Sequence, residues 1–184
     1  WAHRGASAYA PENTLEAFRL AAEMGADGVE LDVQLSRDGE LVVAHDETID
    51  RVSNGTGYIK DYTLAQLKEL SFNRLFPAFK DARIPTLKEV YELLKPGGLT
   101  VNVELKTGII LYPEIEEKVL ALTASMGMED RVIYSSFCHP SLVRLKELDS
   151  GLKTGLLYSD GWIDAAAYGR HTVGVDALHP ALYH

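Results

Sequence analysis

Charged side chains and histidines alternate with apolar residues in several short segments of this chain. Glu30 and Asp32 are separated by one leucine, and so are Glu104 and Lys106. Residues two apart in a strand share a face, and a charge beside buried residues is costly unless it is paired or binds a metal. The pattern predicts a metal-assisted site for a phosphate-containing substrate. Three acids, two histidines and two cations can converge there: Glu30, Asp32, Glu104, His3, His45, Arg4 and Lys106.

These residues fall near the ends of strands in a sequence that alternates strand and helix patterns. A helix is predicted over Asn13–Met24 with Asn13 as its N-cap. Capping boxes at Thr63 and Thr86 each predict the start of a further helix. Another helix is predicted over 163–170. A turn at 37–40 is expected to join two strands in a hairpin. The alternation predicts a parallel sheet covered by helices. Six strands of this kind begin at Trp1, Gly28, Leu99, Arg131, Lys153 and Val175.

The predicted fold class is α/β, as a TIM (β/α)8 barrel. Because such a barrel needs eight strands, we expect the last two βα units to be absent from this sequence. The chain opens on Trp1 inside a predicted strand, so residues upstream are also expected to be missing. We expect one domain over 1–184, C-terminally incomplete, with a small loop and helix insertion at about 47–85.

Composition excludes several classes of protein. The 184 residues are 46% hydrophobic, which supports a folded core. A net charge of -9 argues against nonspecific nucleic-acid binding. The single cysteine excludes an intrachain disulfide framework, which favours a cytoplasmic location. No run approaches the roughly 18 apolar residues of a transmembrane segment.

The order of several short motifs resembles the glycerophosphodiester phosphodiesterase family across essentially the whole chain. Each motif is weak alone, but their order and strand-end positions make a strong joint signal. The motifs are His3-Arg4-Gly5, Pro11-Glu12-Asn13-Thr14, Glu30-Leu31-Asp32, His45-Asp46, Glu104-Leu105-Lys106, Ser135-Ser136-Phe137 and Leu178-His179-Pro180.

The resemblance implies metal-dependent hydrolysis of small-molecule glycerophosphodiesters to an alcohol and glycerol 3-phosphate in a TIM barrel. It implies that Glu30, Asp32 and Glu104 hold one divalent cation, and their oxygen-only ligand set suits Mg²⁺ or Ca²⁺. It implies that His3 and His45 are the catalytic acid/base pair. Arg4 and Lys106 would bind the phosphate.

Other assignments remain open from the sequence alone. His179 and Phe137 end predicted strands and are candidates for substrate binding, although packing is an alternative for Phe137. A lysophospholipase D-like activity is an alternative function, because the loop 71–84 contains four large apolar residues: Phe72, Leu75, Phe76 and Phe79. A noncatalytic metal- or phosphate-binding barrel module is another. A homodimer is also left open.

Overall fold

A parallel sheet that curls as part of a TIM barrel forms the centre of the fold. In the computed structural model, which describes residues 1–181, six strands run parallel in the order β1-β2-β4-β5-β6-β7, and β3 pairs antiparallel with β2. The predicted alternation and all six predicted parallel strands are confirmed. The strands are β1 Ala2–His3, β2 Gly28–Leu35, β3 Leu41–Val43, β4 Thr100–Leu105, β5 Val132–Ser136, β6 Thr154–Tyr158 and β7 Ala177–Pro180.

Helices connect the parallel strands and cover the outer face of the sheet. In α3, Val90, Tyr91 and Leu94 form a buried stripe against the main core. The sheet contributes Val29, Leu31 and the equivalent residues of its neighbours to that core, so the alternate residues face the barrel interior. The helices are α1 Leu15–Glu23, α2 Leu64–Glu69, α3 Leu87–Leu94, α4 Ile115–Ser125, α5 His139–Leu148 and α6 Ala165–Ala167, which continues as a π-helix over Tyr168–Val173.

The chain between β3 and α3 is a polar excursion with a small core of its own. The predicted hairpin is present, with Val33 opposite Val43. Thr63 and Thr86 both form the predicted capping boxes. The side chains of the second core are Val42, Ala44, Ile49, Ile59, Leu67, Phe72 and Ile84. The excursion is therefore held next to the carboxyl end of β3.

One local prediction was wrong. Thr14, rather than Asn13, caps α1, because the Thr14 hydroxyl accepts from the Ala17 amide while the Asn13 amide donates to Asp32. This tertiary contact of Asn13 overrides its local preference for the cap position. The helix predicted over 163–170 is present as α6 and the π-helix that follows it, with its bounds moved two to three residues toward the C-terminus.

Candidate active site

Three carboxylates meet where the middle of β2 lies beside the carboxyl end of β4. Asp32 and Glu104 are register partners in these neighbouring strands, and Glu30 shares their face two residues earlier. One oxygen from each acid lies within 4.8 Å of the others. Asp32 is fully buried and Glu104 nearly so. The sheet therefore brings together the three residues that the sequence predicted as metal ligands.

The chemistry of this cluster fits a divalent cation. Glu30 Oε1 and Asp32 Oδ1 are buried and have no hydrogen-bond partner within residues 1–181, and a buried acceptor without a partner is costly. Burial first, and then the charges of Asp32 and Glu104, raise the pKa of Glu30 to about 8. Burial and the charge of Asp32 also raise the pKa of Glu104. A hard cation would satisfy these oxygens and remove the repulsion between them.

Two cations flank the carboxylates. Lys106 Nζ donates to Glu104 at 3.0 Å and lies 3.8 Å from Asp32. Arg4 lies in the left-handed backbone region with φ 57°, and this turn brings its amide to Glu30 Oε2 at 3.0 Å. The Arg4 guanidinium reaches Glu12 Oε1 at 3.0 Å and lies 3.6 Å from Asp32. Both cations therefore lie beside the acids.

The two predicted acid/base histidines differ in their environment. His3 pairs with Glu30 in the sheet register, and its Nε2 lies 3.7 Å from Glu30 Oε2. Burial and the nearby Arg4 lower the pKa of His3. The His45 Nδ1 lies 2.7 Å from Asp46 Oδ1. Burial alone would raise the pKa of Asp46, but hydrogen bonds from Arg51 and His45 lower it to about 2, so this ionised carboxylate holds the imidazole.

A buried amide on β2 fixes the backbone around His45. Gln34 Nε2 donates to the carbonyl oxygens of Ala44, His45 and Asp46 at 2.9, 3.3 and 2.7 Å. Tyr112 donates its hydroxyl to Gln34 Oε1 at 2.9 Å. Sequence reasoning did not single out Gln34. Its position on the Glu30–Asp32 face of β2, two residues beyond Asp32, was the available signal.

Glu12 and Arg51 also belong to the surroundings of the site. Glu12 belongs to one of the motifs noted in the sequence, where it had no assigned role, and Arg51 was not identified. Arg51 donates to Glu12 through two nitrogens, each at 2.7 Å, and to Asp46 through Nε at 2.7 Å. The polar excursion gave no periodic pattern that would single out one arginine.

The two predicted substrate-binding residues lie farther around the sheet. Phe137 follows β5 and is 46% exposed. His179 lies on β7, three strands beyond β4, with its half-buried ring against Gly155. A Cβ at Gly155 would clash with that ring. Both residues are therefore outside the acid cluster, and their substrate roles stay predictions.

No helix formed by residues 1–181 is long and apolar enough to cross a membrane.

The apolar loop after α2 is partly packed: Phe72 is in the second core, and Phe76 and Phe79 form an edge-to-face pair. Leu75, in the same loop, is 52% exposed. This loop therefore gives little specific support to a lipid substrate.

Comparisons with known proteins place this geometry in a family. The model of the glycerophosphoryl diester phosphodiesterase family matches residues 3–182. A glycerophosphodiester phosphodiesterase of Caldanaerobacter subterraneus subsp. tengcongensis is 52% identical over 164 residues, which are 89% of this chain and 68% of that protein.

Solved structures show the same fold. The glycerophosphodiester phosphodiesterase of Agrobacterium tumefaciens superposes with a TM-score of 0.84 at 33% identity, covering 97% of this chain and 74% of that one. A phosphodiesterase of Oleispira antarctica, in complex with its product sn-glycerol-3-phosphate, has a TM-score of 0.84 at 32% identity and covers 97% and 73%. The chain thus spans about three quarters of these two structures.

Proposed function

This chain belongs to the glycerophosphoryl diester phosphodiesterase family and is a hydrolase of phosphoric diesters, and we propose that it works by metal-assisted histidine acid/base catalysis. The reaction releases an alcohol and glycerol 3-phosphate from a glycerophosphodiester. One observation carries the proposal: three carboxylates within 4.8 Å of one another, two of them with unpartnered buried oxygens. The product-bound relative supports a small-molecule substrate.

Glu30, Asp32 and Glu104 are the proposed ligands of one divalent cation, Mg²⁺ or Ca²⁺. When bound, the cation would neutralise charge on the nonbridging phosphoryl oxygens. Arg4 offers a fork of donors to the same oxygens, and Lys106 adds a point charge. These groups orient the phosphodiester so that its phosphorus faces the glycerol 2-hydroxyl.

Proton transfer is assigned to His3 and His45. One imidazole takes the proton of the glycerol 2-hydroxyl as its oxygen bonds to phosphorus, and the other protonates the alcohol oxygen as its bond to phosphorus breaks. Water then opens the cyclic phosphate with the roles reversed. Because ionised Asp46 can only accept a hydrogen bond, Nδ1 of His45 carries the hydrogen and Nε2 remains for proton transfer.

The experiment is release of glycerol 3-phosphate from glycerophosphocholine with Mg²⁺, with Ca²⁺ and with EDTA. We expect metal-dependent release and its loss in Glu30→Ala. Release that persists in EDTA, or no release with either metal, would count against the proposal. If neither metal gives release, the same assay with lysophospholipids tests the lysophospholipase D-like alternative. No activity on either substrate would favour the noncatalytic binding module. A slowed variant that accumulates no cyclic phosphate by ³¹P NMR would favour direct attack by water.

A homodimer and a cytoplasmic location stay predictions. Light scattering of the purified protein tests the homodimer, since a dimer has twice the mass of the 20.3 kDa chain. Fractionation of the source cells tests the cytoplasmic location.

A further inference from the structure

One arginine joins the proposed phosphate-binding cation to one of the proposed acid/base histidines. Arg51 Nη1 and Nη2 both donate to the Glu12 carboxylate at 2.7 Å, and Glu12 Oε1 accepts from Arg4 at 3.0 Å. On its other side Arg51 donates to Asp46 through Nε at 2.7 Å and Nη2 at 3.2 Å. Asp46 in turn holds His45 at 2.7 Å. The result is an unbroken path from Arg4 to His45.

The chemistry of this path requires a guanidinium. A single planar group makes four hydrogen bonds to two carboxylates, and each carboxylate then contacts a second residue of the site. A lysine ammonium has three donors around one nitrogen and cannot span both carboxylates in this fork geometry. Arg51 is therefore placed to set the distance between Arg4 and His45.

The excursion after β3 places Arg51 at this point. Ile49 belongs to the second core and Val52 packs against it. Arg74 holds the same turn from outside, with its amide donating to the Val52 carbonyl and its side chain to the Asp50 carbonyl. The backbone on both sides of Arg51 is thus anchored, which directs its side chain to Glu12 and Asp46.

We propose that Arg51 is a positioning residue that aligns Arg4 and His45 through Glu12 and Asp46. The inference rests on the proposed function of those two residues. Loss of the hydrogen bonds to Glu12 frees Arg4 and weakens substrate binding, so KM rises. Loss of the hydrogen bonds to Asp46 frees the His45 imidazole, so kcat falls. Arg51 contacts both carboxylates, so its loss should change both KM and kcat. A residue that only supports the excursion gives no such separation between the Glu12 and Asp46 variants.

The test compares kcat and KM for glycerophosphocholine at saturating Mg²⁺ in four variants. Glu12→Gln is expected mainly to raise KM and Asp46→Asn mainly to lower kcat. Arg51→Met is expected to do both and to lower kcat/KM by about 10- to 100-fold, the range seen when a group that orients an active-site side chain is removed. Arg51→Lys is expected to recover little, because it restores the charge and not the fork.

Arg74→Met is the matched control, because Arg74 anchors the same turn and has no hydrogen bond to Glu12 or Asp46 among the described residues. It should keep nearly wild-type kcat and KM. Added guanidinium should partly restore Arg51→Ala and leave the corresponding Arg74→Ala unchanged. Equal losses in Arg51→Met and Arg74→Met would overturn the inference, since they would show only support of the excursion.

A second comparison separates positioning from folding, with the fold of each variant checked by circular dichroism. Adding Arg51→Met to the Glu12→Gln, Asp46→Asn double variant should change kcat/KM by less than about twofold, because residues on one path are not additive. A full further loss would overturn the inference. An inactive wild-type protein would instead count against the proposed function, so the two failures are distinguishable.

Discussion

At the scale of single residues, a proton on Glu30 couples the stability of the metal-free protein to pH. Burial, with the charges of Asp32 and Glu104, raises the pKa of Glu30 from 4.5 to about 8. Between these values the folded state holds a proton that the unfolded chain has released. The stabilisation from this proton is complete below pH 4.5 and is lost as the pH rises through about 8.

We therefore expect the Tm in EDTA to fall between about pH 5.5 and about pH 8.5. A carboxyl with a pKa of about 8 loses about 3 kcal/mol of stabilisation over this pH range. Since 1 kcal/mol corresponds to about 2–4 °C in a domain of this size, the fall should be on the order of 10 °C. Thermal unfolding followed by circular dichroism measures it. Glu30→Gln is the control, because its amide does not titrate and should flatten the slope. An unchanged slope in that variant would assign the effect to another group.

At the scale of elements, one buried amide ties the end of β3 to β2. Gln34 donates to three carbonyl oxygens around His45 and accepts from Tyr112. Gln34→Leu removes the partner of these groups, of which the Ala44 carbonyl and the Tyr112 hydroxyl are buried, and we expect a loss of about 2–4 kcal/mol in the free energy of unfolding. Urea unfolding measures the loss. Tyr112→Phe removes one of these bonds and should cost about 1 kcal/mol; equal costs would contradict the role given to Gln34.

The turn after β1 depends on a glycine that α1 approaches closely. Gly5 has φ +77°, and a Cβ there would lie 2.8 Å from the Ala17 backbone. Gly98 has a similar φ of +74° with open space around it. Gly98→Ala should therefore cost about 1 kcal/mol for backbone strain alone. Gly5→Ala should cost at least about 2 kcal/mol more, because a backbone clash is added. Equal costs in urea unfolding would contradict the close approach of α1.

At the scale of the whole molecule, the sequence predicted the local spacing and the side chains that meet on neighbouring strands, but it missed side chains that support the site from the excursion and from across the sheet. Period-two spacing placed Glu30 and Asp32 on one face, and the capping boxes at Thr63 and Thr86 marked two helix starts. Arg51 contacts Glu12 from 39 residues away, and Gln34 meets Tyr112 from 78 residues away. No local pattern carries such contacts, because only the folded sheet and the excursion bring these side chains together.

The central claim is that Glu30, Asp32 and Glu104 hold one divalent cation. Its most direct test is calorimetric titration of the EDTA-treated protein with Mg²⁺ and with Ca²⁺. The account predicts one ion bound per chain, with affinity reduced at least about 100-fold in Asp32→Asn. Glu40→Gln, a change at an exposed acid on the turn before β3, should bind as the wild type does. Stoichiometric binding that survives Asp32→Asn, or no binding by the active wild-type protein, would contradict the account.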